Sequence, residues 1–582
     1  MWTARIPIGL AFVWLLCGAV ACGGGDGGDG VEQRGDHLVS TDWLAEQADD
    51  PGLVIIDARP TDDYLEGHLP GAVSASFSEQ EATSHGVDTS YGGGLDYFLD
   101  EDNPIPFQDG PPEQIQQVVR SFGIDDDSTV VVYDLGPAFD AARFFSTLEY
   151  HGFEDIHLLD GGITKWQAED RPTTQAIPEV EPGDFTASVP EPQIRVDTTY
   201  VLRALDDPDK VAITSLTPAW YYGSHLAYSE AGHIPKSKLI PLAYFFEPDG
   251  TWKSADGLRP LVEVVGIDQE QEMITYCGGG PLSAATYYAL KYLADYPRVR
   301  NYQGSVVAWL HDDRGLELHS YQHPEMLRDA QWIHWWAGDR IQHLFTDPPA
   351  LTVDVRPAAD YEPEHIPWSV NVPLTGPDTI TGQGPDAWAN DLGAKGVGAE
   401  METVICDAGI RPTTALFFWL LEYLGHPEVS LCRDGVAGWE DAGFELTAEA
   451  TIIDEPQDPI DVAVHPKDFA AQPQSALRLT SADQARIDDR FARSWLVLAE
   501  EVPEAVPADE YAHLPWEQLL TEDGRLQTAA ALYTALDEAG VHRFSEIVCY
   551  SDQPAEAAVG YLALRLLGYP LVRLYLPEAD AL

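Results

Sequence analysis

The chain has 582 residues, of which 45% are hydrophobic, and a chain of this length holds more apolar material than one core can bury. Its 96 acidic and 33 basic side chains give a formal net charge of −63. Because nucleic-acid binding needs clustered Lys and Arg, this balance excludes nucleic acid as a partner. We therefore expect several globular domains with a strongly acidic surface.

The N-terminal residues have the pattern of an export signal. Arg5 precedes an apolar run over 6–20 that is too short to span a bilayer comfortably. The segment from Ala19 to Cys22 resembles a bacterial lipobox, in which the cysteine is lipidated after cleavage. We predict a signal peptide over 1–22, a flexible Gly/Asp-rich tether over 23–35, and an exported protein on the periplasmic face or the cell surface. Cys22 would be its only membrane attachment; the alternative is an ordinary secretory signal.

The rest of the chain repeats one order of signals four times. Each copy has a short apolar strand, a His-Pro turn, a second apolar strand, a loop and an alanine-rich amphipathic helix. Strands that alternate with helices at this spacing predict an α/β fold with a parallel sheet in every copy. The predicted domains span 36–175, 194–316, 326–450 and 475–582, with Pro-rich linkers between them.

The loop after the second strand differs among the copies. The first and third copies have Asp134 and Asp407 there, the second has Cys277, and the fourth has Ser551. The first and third loops are also slightly longer than the other two. The copies therefore form a pair that is repeated once.

Cys277 stands where a nucleophile is expected. An apolar strand over 273–276 leads to it, the loop Gly278–Leu282 follows, and a helix is predicted to start near Ser283. Glycines allow backbone N–H groups to turn inward and a helix N-terminus adds partial positive charge, so this setting favours an anionic sulfur nucleophile. The alternative is that Cys277 is a small buried core residue. The other cysteines after Cys22 are too few for a disulfide framework and are expected in the core: Cys406, Cys432 and Cys549.

Three motifs in combination resemble the rhodanese family of thiosulfate and 3-mercaptopyruvate sulfurtransferases. They are Asp57-x-Arg59 after the first strand, Gly-His-Leu-Pro-Gly-Ala over 67–72, and Asp-Gly-Gly followed by Trp over 160–166. The resemblance covers nearly the whole mature chain and implies four tandem three-layer α/β/α domains arranged as two pairs. Tandem members of the family pair an N-terminal domain that has Asp at the nucleophile position with a catalytic domain, so the resemblance implies that only the second domain is active.

The resemblance also implies a reaction. Cys277 would take a sulfane sulfur from a small anionic donor, thiosulfate or 3-mercaptopyruvate, and pass it to a thiophilic acceptor such as cyanide or a thiol. The amides of the loop would stabilise the persulfide: Gly278, Gly279, Gly280, Pro281 and Leu282. No metal or cofactor is implied. The alternative is a cell-envelope scaffold built from degenerate domains; a phosphatase or arsenate reductase is disfavoured by the short loop without arginine.

The second copy departs from the family at its donor site. Catalytic domains of the family carry Asp-x-Arg after the first strand and another Arg before Tyr-x-Gly. Here Leu216 and Trp220 occupy the two arginine positions. Lys236 and Lys238, which follow the His-Pro turn, are candidates for the missing positive charge, and Trp220 is a candidate substrate contact.

Overall fold

The protein is described from a computed structural model. It describes residues 37–75, 98–100, 103–105, 107–136, 139–188, 193–225, 229–338, 349–376, 380–454, 463–503, 506 and 510–577. The predicted signal peptide, Cys22 and the tether lie outside these residues. Within them, no helix combines the length and the apolar character needed to cross a membrane.

The first and second domains each contain a parallel sheet. The first sheet has the order β1-β5-β4-β2-β3 and the second has the order β7-β6-β8-β9. Their strands are β1 Leu38–Val39, β2 Leu53–Asp57, β3 Val73–Ser74, β4 Thr129–Tyr133, β5 Ile156–Leu159, β6 Lys210–Thr214, β7 Lys238–Leu239, β8 Glu272–Tyr276 and β9 Val299–Asn301. Their helices are α1 Thr41–Gln47, α2 Thr61–Glu66, α3 Pro112–Ser121, α4 Phe139–Tyr150, α5 Gly162–Ala168, α6 Thr198–Ala204, α7 Pro218–Tyr221, α8 Ala255–Val264, α9 Pro281–Tyr288 and α10 Ser305–Leu310.

The third and fourth domains repeat this architecture, with sheet orders β10-β14-β13-β11-β12 and β15-β19-β18-β16-β17. Their strands are β10 Leu327–Arg328, β11 Ala350–Asp354, β12 Val370–Asn371, β13 Glu402–Cys406, β14 Val429–Cys432, β15 Arg478–Leu479, β16 Arg493–Val497, β17 Ala512–His513, β18 Glu546–Tyr550 and β19 Val572–Tyr575. Their helices are α11 Ala330–Ile333, α12 Ala358–Tyr361, α13 Pro385–Ala394, α14 Pro412–Tyr423, α15 Gly435–Asp441, α16 Ala529–Glu538 and α17 Pro554–Leu566. The predicted fold class is confirmed.

Each sheet is covered on both faces, as the central strand of the first domain shows. Along β4, Val130 and Val132 belong to one apolar cluster, while Val131 and Tyr133 belong to another on the opposite face. Successive side chains of a strand point to opposite faces, so a strand that is apolar throughout must be buried on both. The domain is therefore a three-layer sandwich.

The domains pack in two pairs. One apolar cluster runs through the first and second domains, where α4 packs on α9, and another runs through the third and fourth, where α14 packs on α17. In each pair, a turn of the later domain also covers the loop of the earlier one: Gly250 lies beside Gly136, and the Gly524 carbonyl accepts a hydrogen bond from the Ile410 amide at 2.7 Å. The predicted pairing is confirmed.

Arg543 links the two pairs. Its guanidinium is buried and donates to the Tyr222 hydroxyl at 2.6 Å and to the Leu567 and Gly568 carbonyls at 3.2 and 2.7 Å. Tyr222 belongs to the second domain and the other groups to the fourth. The Tyr222 hydroxyl in turn donates to the Leu567 carbonyl at 2.6 Å, so the three groups form one buried network. Removing the guanidinium is costly, because buried acceptors then lose a charged donor.

We expect Arg543→Met to destabilise the contact between the pairs. The loss of three buried hydrogen bonds should cost about 2 to 4 kcal/mol and lower the urea midpoint of the unfolding transition. The matched control is Arg525→Met, since Arg525 is 46% exposed and pairs only with Asp434 and Asp523 at the surface. Equal midpoints for the two variants would contradict this role of Arg543.

Candidate active site

Cys277 lies at the carboxyl end of the central strand β8. It is 1% exposed and belongs to an apolar cluster with Ile274, Tyr276 and Leu216. In open parallel sheets, ligands bind outside the carboxyl ends of the strands, where the loops leave a crevice. The fold thus delivers the thiol of Cys277 to the edge of the sheet at which chemistry is expected.

The glycine loop turns one amide onto the sulfur. The Gly280 N–H donates to Cys277 Sγ at 3.1 Å, and Gly280 has a φ of +117°. Only glycine adopts this conformation without strain, so the sequence uses glycine where the chain must bring its N–H back to the thiol. Among the described residues, this amide is the group of the predicted loop that contacts the Cys277 sulfur.

The helix after the loop begins earlier than predicted. It starts at Pro281 rather than near Ser283, because proline is favoured in the first helical turn, where its missing N–H is not needed. Pro281 therefore has no amide hydrogen to offer a persulfide, and Leu282 is part of the helix. The loop proper consists of Gly278, Gly279 and Gly280.

Ser305 holds the other side of Cys277. It has a φ of +52°, its Oγ accepts the Cys277 amide at 3.0 Å, and the same oxygen lies 3.8 Å from Sγ. The two amides that follow, Val306 and Val307, donate to the carbonyls of Cys277 and Gly278, both at 3.1 Å. Sequence reasoning missed Ser305, although it lies in the closing segment before Trp309 that recurs in the first three copies.

The two positions that lack arginine belong to the apolar surroundings of Cys277. Leu216 is buried in the cluster of Cys277, and Trp220 packs against that cluster while its ring stacks on His225. Both residues line a small depression together with Val306, whose amide donates to the Cys277 carbonyl. Apolar side chains therefore stand at the positions where the family would place positive charge.

The structure does not bring Lys236 and Lys238 to Cys277. Both line a cavity of about 340 Å³ together with Lys210, and Lys236 pairs with Asp206 at 2.7 Å. Cys277 does not line this cavity, whose other lining residues lie before or at the start of β6 and before β8. Lys238 pairs with Ile213, and Ile213 pairs with Thr275, so the backbone of Lys238 lies two strands from the end of β8, while its side chain lines the cavity.

The first domain contributes a buried arginine to the loop of the second. Arg143, on α4, donates through Nη1 to the Gly279 carbonyl at 3.3 Å and through Nη2 to the Phe107 carbonyl at 3.1 Å. Nη2 also pairs with Asp109 at 2.5 Å, and Asp109 binds Arg195 at 2.7 Å. Sequence reasoning missed Arg143 because an arginine inside an amphipathic helix gives no sign of the neighbouring domain it reaches.

The charges of this cluster stabilise one another. Burial alone would raise the pKa of the Asp109 carboxyl, but the guanidinium groups of Arg143 and Arg195 hold it well below its usual range. Asp109 is thus a fixed anion that anchors both cations. The same segment carries Phe107, whose ring lies against Gly279.

The other three loops contain no thiol at the position of Cys277. Asp134 accepts the amides of Gly136 and Ala141 at 3.1 and 3.2 Å. Asp407 accepts Arg411 Nε at 2.7 Å, and the Ser551 hydroxyl donates to Glu556 at 2.7 Å. Every one of these side chains already has a partner within its own loop. Cys406, Cys432 and Cys549 are buried, as predicted, and each lies on a strand.

The described residues contain no group of three His, Cys, Asp or Glu side chains that is arranged to hold a metal ion.

Comparison with known proteins gives a consistent set of relatives. The sequence profile of the rhodanese-like domain matches residues 40–169, 198–312 and 338–442, each inside one predicted domain. The chain is 32% identical over 286 residues to the sulfur carrier protein TtuD of Thermus thermophilus, covering 47% of this chain and 93% of that protein. It is 30% identical over 286 residues to the 3-mercaptopyruvate sulfurtransferase of Escherichia coli, covering 47% of this chain and 94% of the relative.

A putative thiosulfate sulfurtransferase of Haloferax volcanii is 32% identical over 291 residues, covering 47% of this chain and 93% of that protein. Among solved structures, the 3-mercaptopyruvate sulfotransferase SseA of Escherichia coli is 30% identical, with 46% of this chain and 98% of that chain covered and a TM-score of 0.40. These relatives are about half as long as this chain, so each corresponds to about one pair of domains.

Asp134 makes the stability of the first domain depend on pH. Burial raises its pKa from 3.8 to about 6, against the lowering effect of the backbone amides that it accepts. Between pH 4 and pH 6 the folded state binds more protons at Asp134 than the unfolded state. The stability that protonated Asp134 contributes to the folded state is therefore present below pH 4 and is lost as the pH rises through 6. We expect the free energy of unfolding of the wild type, measured by urea unfolding, to fall between pH 5 and pH 7.5 by on the order of 1 kcal/mol relative to that of Asp134→Asn, whose side chain does not titrate. Comparing two pH values cancels the constant cost of placing the Asn amide group beside a backbone N–H. A difference that is constant between the two pH values would contradict the raised pKa.

Gly280→Ala should disrupt the loop. Its φ of +117° is strained for alanine, and the new Cβ would lie 2.0 Å from Arg143 Nη1. We expect a loss of about 1 to 3 kcal/mol in the free energy of unfolding and slower alkylation of Cys277 by iodoacetamide. Gly279→Ala is the matched control, because its Cβ would meet the ring of Phe107 at 2.9 Å, and a ring on a 40% exposed residue can turn aside. An equal loss of stability in the two variants would show that the backbone conformation of Gly280 does not determine the effect.

Proposed function

This chain belongs to the rhodanese-like family, and from that premise we propose that it is a sulfurtransferase in which Cys277 carries the transferred sulfur as a persulfide. The observation that carries the proposal is the position of the Cys277 thiol at the carboxyl end of β8, with the Gly280 N–H directed at its sulfur at 3.1 Å. The relatives named sulfurtransferase support the class of reaction.

The first step loads the sulfur. The Cys277 thiolate attacks the outer sulfur of thiosulfate, a new S–S bond forms, the S–S bond of thiosulfate breaks, and sulfite leaves with its electron pair. With 3-mercaptopyruvate the C–S bond breaks instead, and the carbon takes up the thiol proton to give pyruvate. The Gly280 amide and the N-terminus of α9 favour negative charge on the sulfur in both cases.

The second step returns the enzyme to its starting state. A thiophilic acceptor attacks the outer sulfur of the persulfide, the Cys277 thiolate leaves, and the acceptor carries the sulfur away. Cyanide gives thiocyanate, and a thiol gives a new persulfide. Since the sulfur is transferred as an atom with no net change in electrons over the two steps, neither a metal nor a redox cofactor is needed.

The second candidate is a scaffold in the cell envelope. It is favoured by the side chains at the loop starts of the other three domains, Asp134, Asp407 and Ser551, and by Leu216, which stands where an anion-binding arginine is expected. In this reading the four domains serve as binding modules, and Cys277 takes up no sulfur from small donors. Export and lipid attachment through Cys22 belong to both candidates.

The test is persulfide formation on Cys277. Reduced protein lacking residues 1–22 is treated separately with thiosulfate and with 3-mercaptopyruvate, and its peptides are analysed by mass spectrometry. We expect one added sulfur atom on the Cys277 peptide, and its removal by cyanide with release of thiocyanate, because the Gly280 amide and the N-terminus of α9 favour an anionic sulfur there.

Two controls accompany this experiment. Cys277→Ser should take up no sulfur, and the buried Cys406, Cys432 and Cys549 serve as internal references within the same digest. An adduct spread over all four cysteines would indicate non-specific oxidation. No adduct from either donor would overturn the sulfurtransferase and favour the scaffold.

A further inference from the structure

We propose that Arg143 of the first domain is a positioning residue for Cys277 of the second, acting through the peptide unit that joins Gly279 to Gly280. This inference rests on the proposed function, because it assigns a role in the reactivity of the same thiol. It gives the first domain, whose own loop has no thiol at the nucleophile position, a role in the reactivity of the second.

The geometry of one peptide bond carries the argument. The Gly279 carbonyl and the Gly280 N–H belong to the same planar trans unit, so they point in opposite directions. Arg143 Nη1 binds the carbonyl at 3.3 Å on one side, and Cys277 Sγ accepts the N–H at 3.1 Å on the other. A guanidinium that holds the carbonyl therefore aims the amide at the sulfur and, because hydrogen bonds in series polarise one another, strengthens the amide as a donor.

The neighbouring carbonyls of the loop are held by other donors: Gly278 accepts the Val307 amide at 3.1 Å, and Gly280 accepts the Ser283 hydroxyl at 2.8 Å. The peptide unit between them joins two glycines, which are free to adopt several backbone conformations, and Arg143 binds its carbonyl. The guanidinium lies close to Gly280, since a Cβ there would be 2.0 Å from Nη1. Arg143 is itself held by Asp109 at 2.5 Å and is 3% exposed.

The second pair of domains provides an internal comparison. Helices α4 and α14 both have twelve residues and both pack on the helix that follows the partner's loop, but the position of Arg143 is occupied by Leu416 in α14. The helix before each of these is α3 in the first domain and α13 in the third. Three residues before its start, the first domain has Asp109 and the third has Gly382. The domain that Leu416 faces has Ser551 in place of Cys277.

The second pair indicates whether the arginine is needed for the pairing of the domains or for the thiol. The second pair forms with Leu416 at this position, and the ion pair between α14 and α17, Glu422 with Arg565 at 2.8 Å, lies in the last turns of both helices, away from the loop. The pairing of two such domains therefore does not require an arginine at the position of Arg143. Buried ion pairs are on average no better for stability than apolar side chains of similar size. The arginine and its carboxylate are present in the pair that has the cysteine and absent from the pair that lacks it, which is expected if they serve the thiol.

The experiment compares Arg143→Leu and Arg143→Lys with Arg195→Met in protein lacking residues 1–22. Arg195→Met removes the other guanidinium bound to Asp109 but no contact to the loop. Two rates are measured: sulfur uptake by Cys277 from thiosulfate, and alkylation of Cys277 by iodoacetamide as a function of pH. Circular dichroism and the thermal midpoint report whether each variant is folded.

We expect Arg143→Leu to lower the rate of sulfur uptake by at least about tenfold and to move the alkylation profile to higher pH by about half a unit or more. Arg143→Lys, which retains a cation able to reach a carbonyl, should recover part of both effects, and Arg195→Met should leave the alkylation profile in place. If Arg143→Leu fails to fold, the comparison of Arg143→Lys with Arg195→Met carries the test.

Two results would overturn the proposal. The first is an alkylation profile of Arg143→Leu that coincides with that of the wild type. The second is an equal shift in Arg195→Met, which would assign the effect to the stability of the domain interface. The alkylation profile is measured without a sulfur donor. If the wild-type protein takes up no sulfur, the proposed function is overturned, but the alkylation profiles still decide whether Arg143 affects the reactivity of Cys277.

Discussion

The apolar contact between the paired domains is the constraint on which the rest of the molecule depends. Helix α4 packs on α9, and the start of α9 is also the end of the Cys277 loop. The two cores are therefore continuous across the interface, and the face of α4 that packs on α9 also carries Arg143, which reaches the loop of the neighbour. The candidate active site is a property of the pair, although its cysteine belongs to one domain.

The electrostatics of the site contrast with those of the surface. A chain with a net charge of −63 repels small anions at low ionic strength, and the described surface offers no compensating basic patch beside Cys277. The positive charge near the loop is buried and already satisfied by Asp109 and backbone carbonyls. It binds the backbone of the loop, and the two positions at which the family has arginines are occupied by Leu216 and Trp220, in or against the apolar cluster of Cys277.

The four domains show how one scaffold holds four different loops. The parallel sheets and the helix packing recur in every copy, because they depend on apolar periodicity that many side chains satisfy. The loop depends on single residues: a thiol, a carboxylate or a hydroxyl at the strand end decides whether a nucleophile is present. The first, third and fourth copies therefore have the same fold without a thiol at this position, and the residue found there hydrogen-bonds to neighbouring groups.

The sequence alone determined the fold class, the number of domains, their pairing and the identity of the candidate nucleophile, because these follow from local patterns: apolar strands, alternating helices and a thiol before glycines. It also identified the missing arginines at Leu216 and Trp220. Only the tertiary structure decided which distant groups reach the thiol. Lys236 and Lys238 are near Trp220 in sequence, but they line a separate cavity with Lys210 that does not include Cys277, because the direction of a long side chain depends on its packing and not on its place in the chain. Arg143 is 134 residues before Cys277 and reaches its loop, because helix packing between domains, rather than distance along the chain, sets the contacts of a buried side chain.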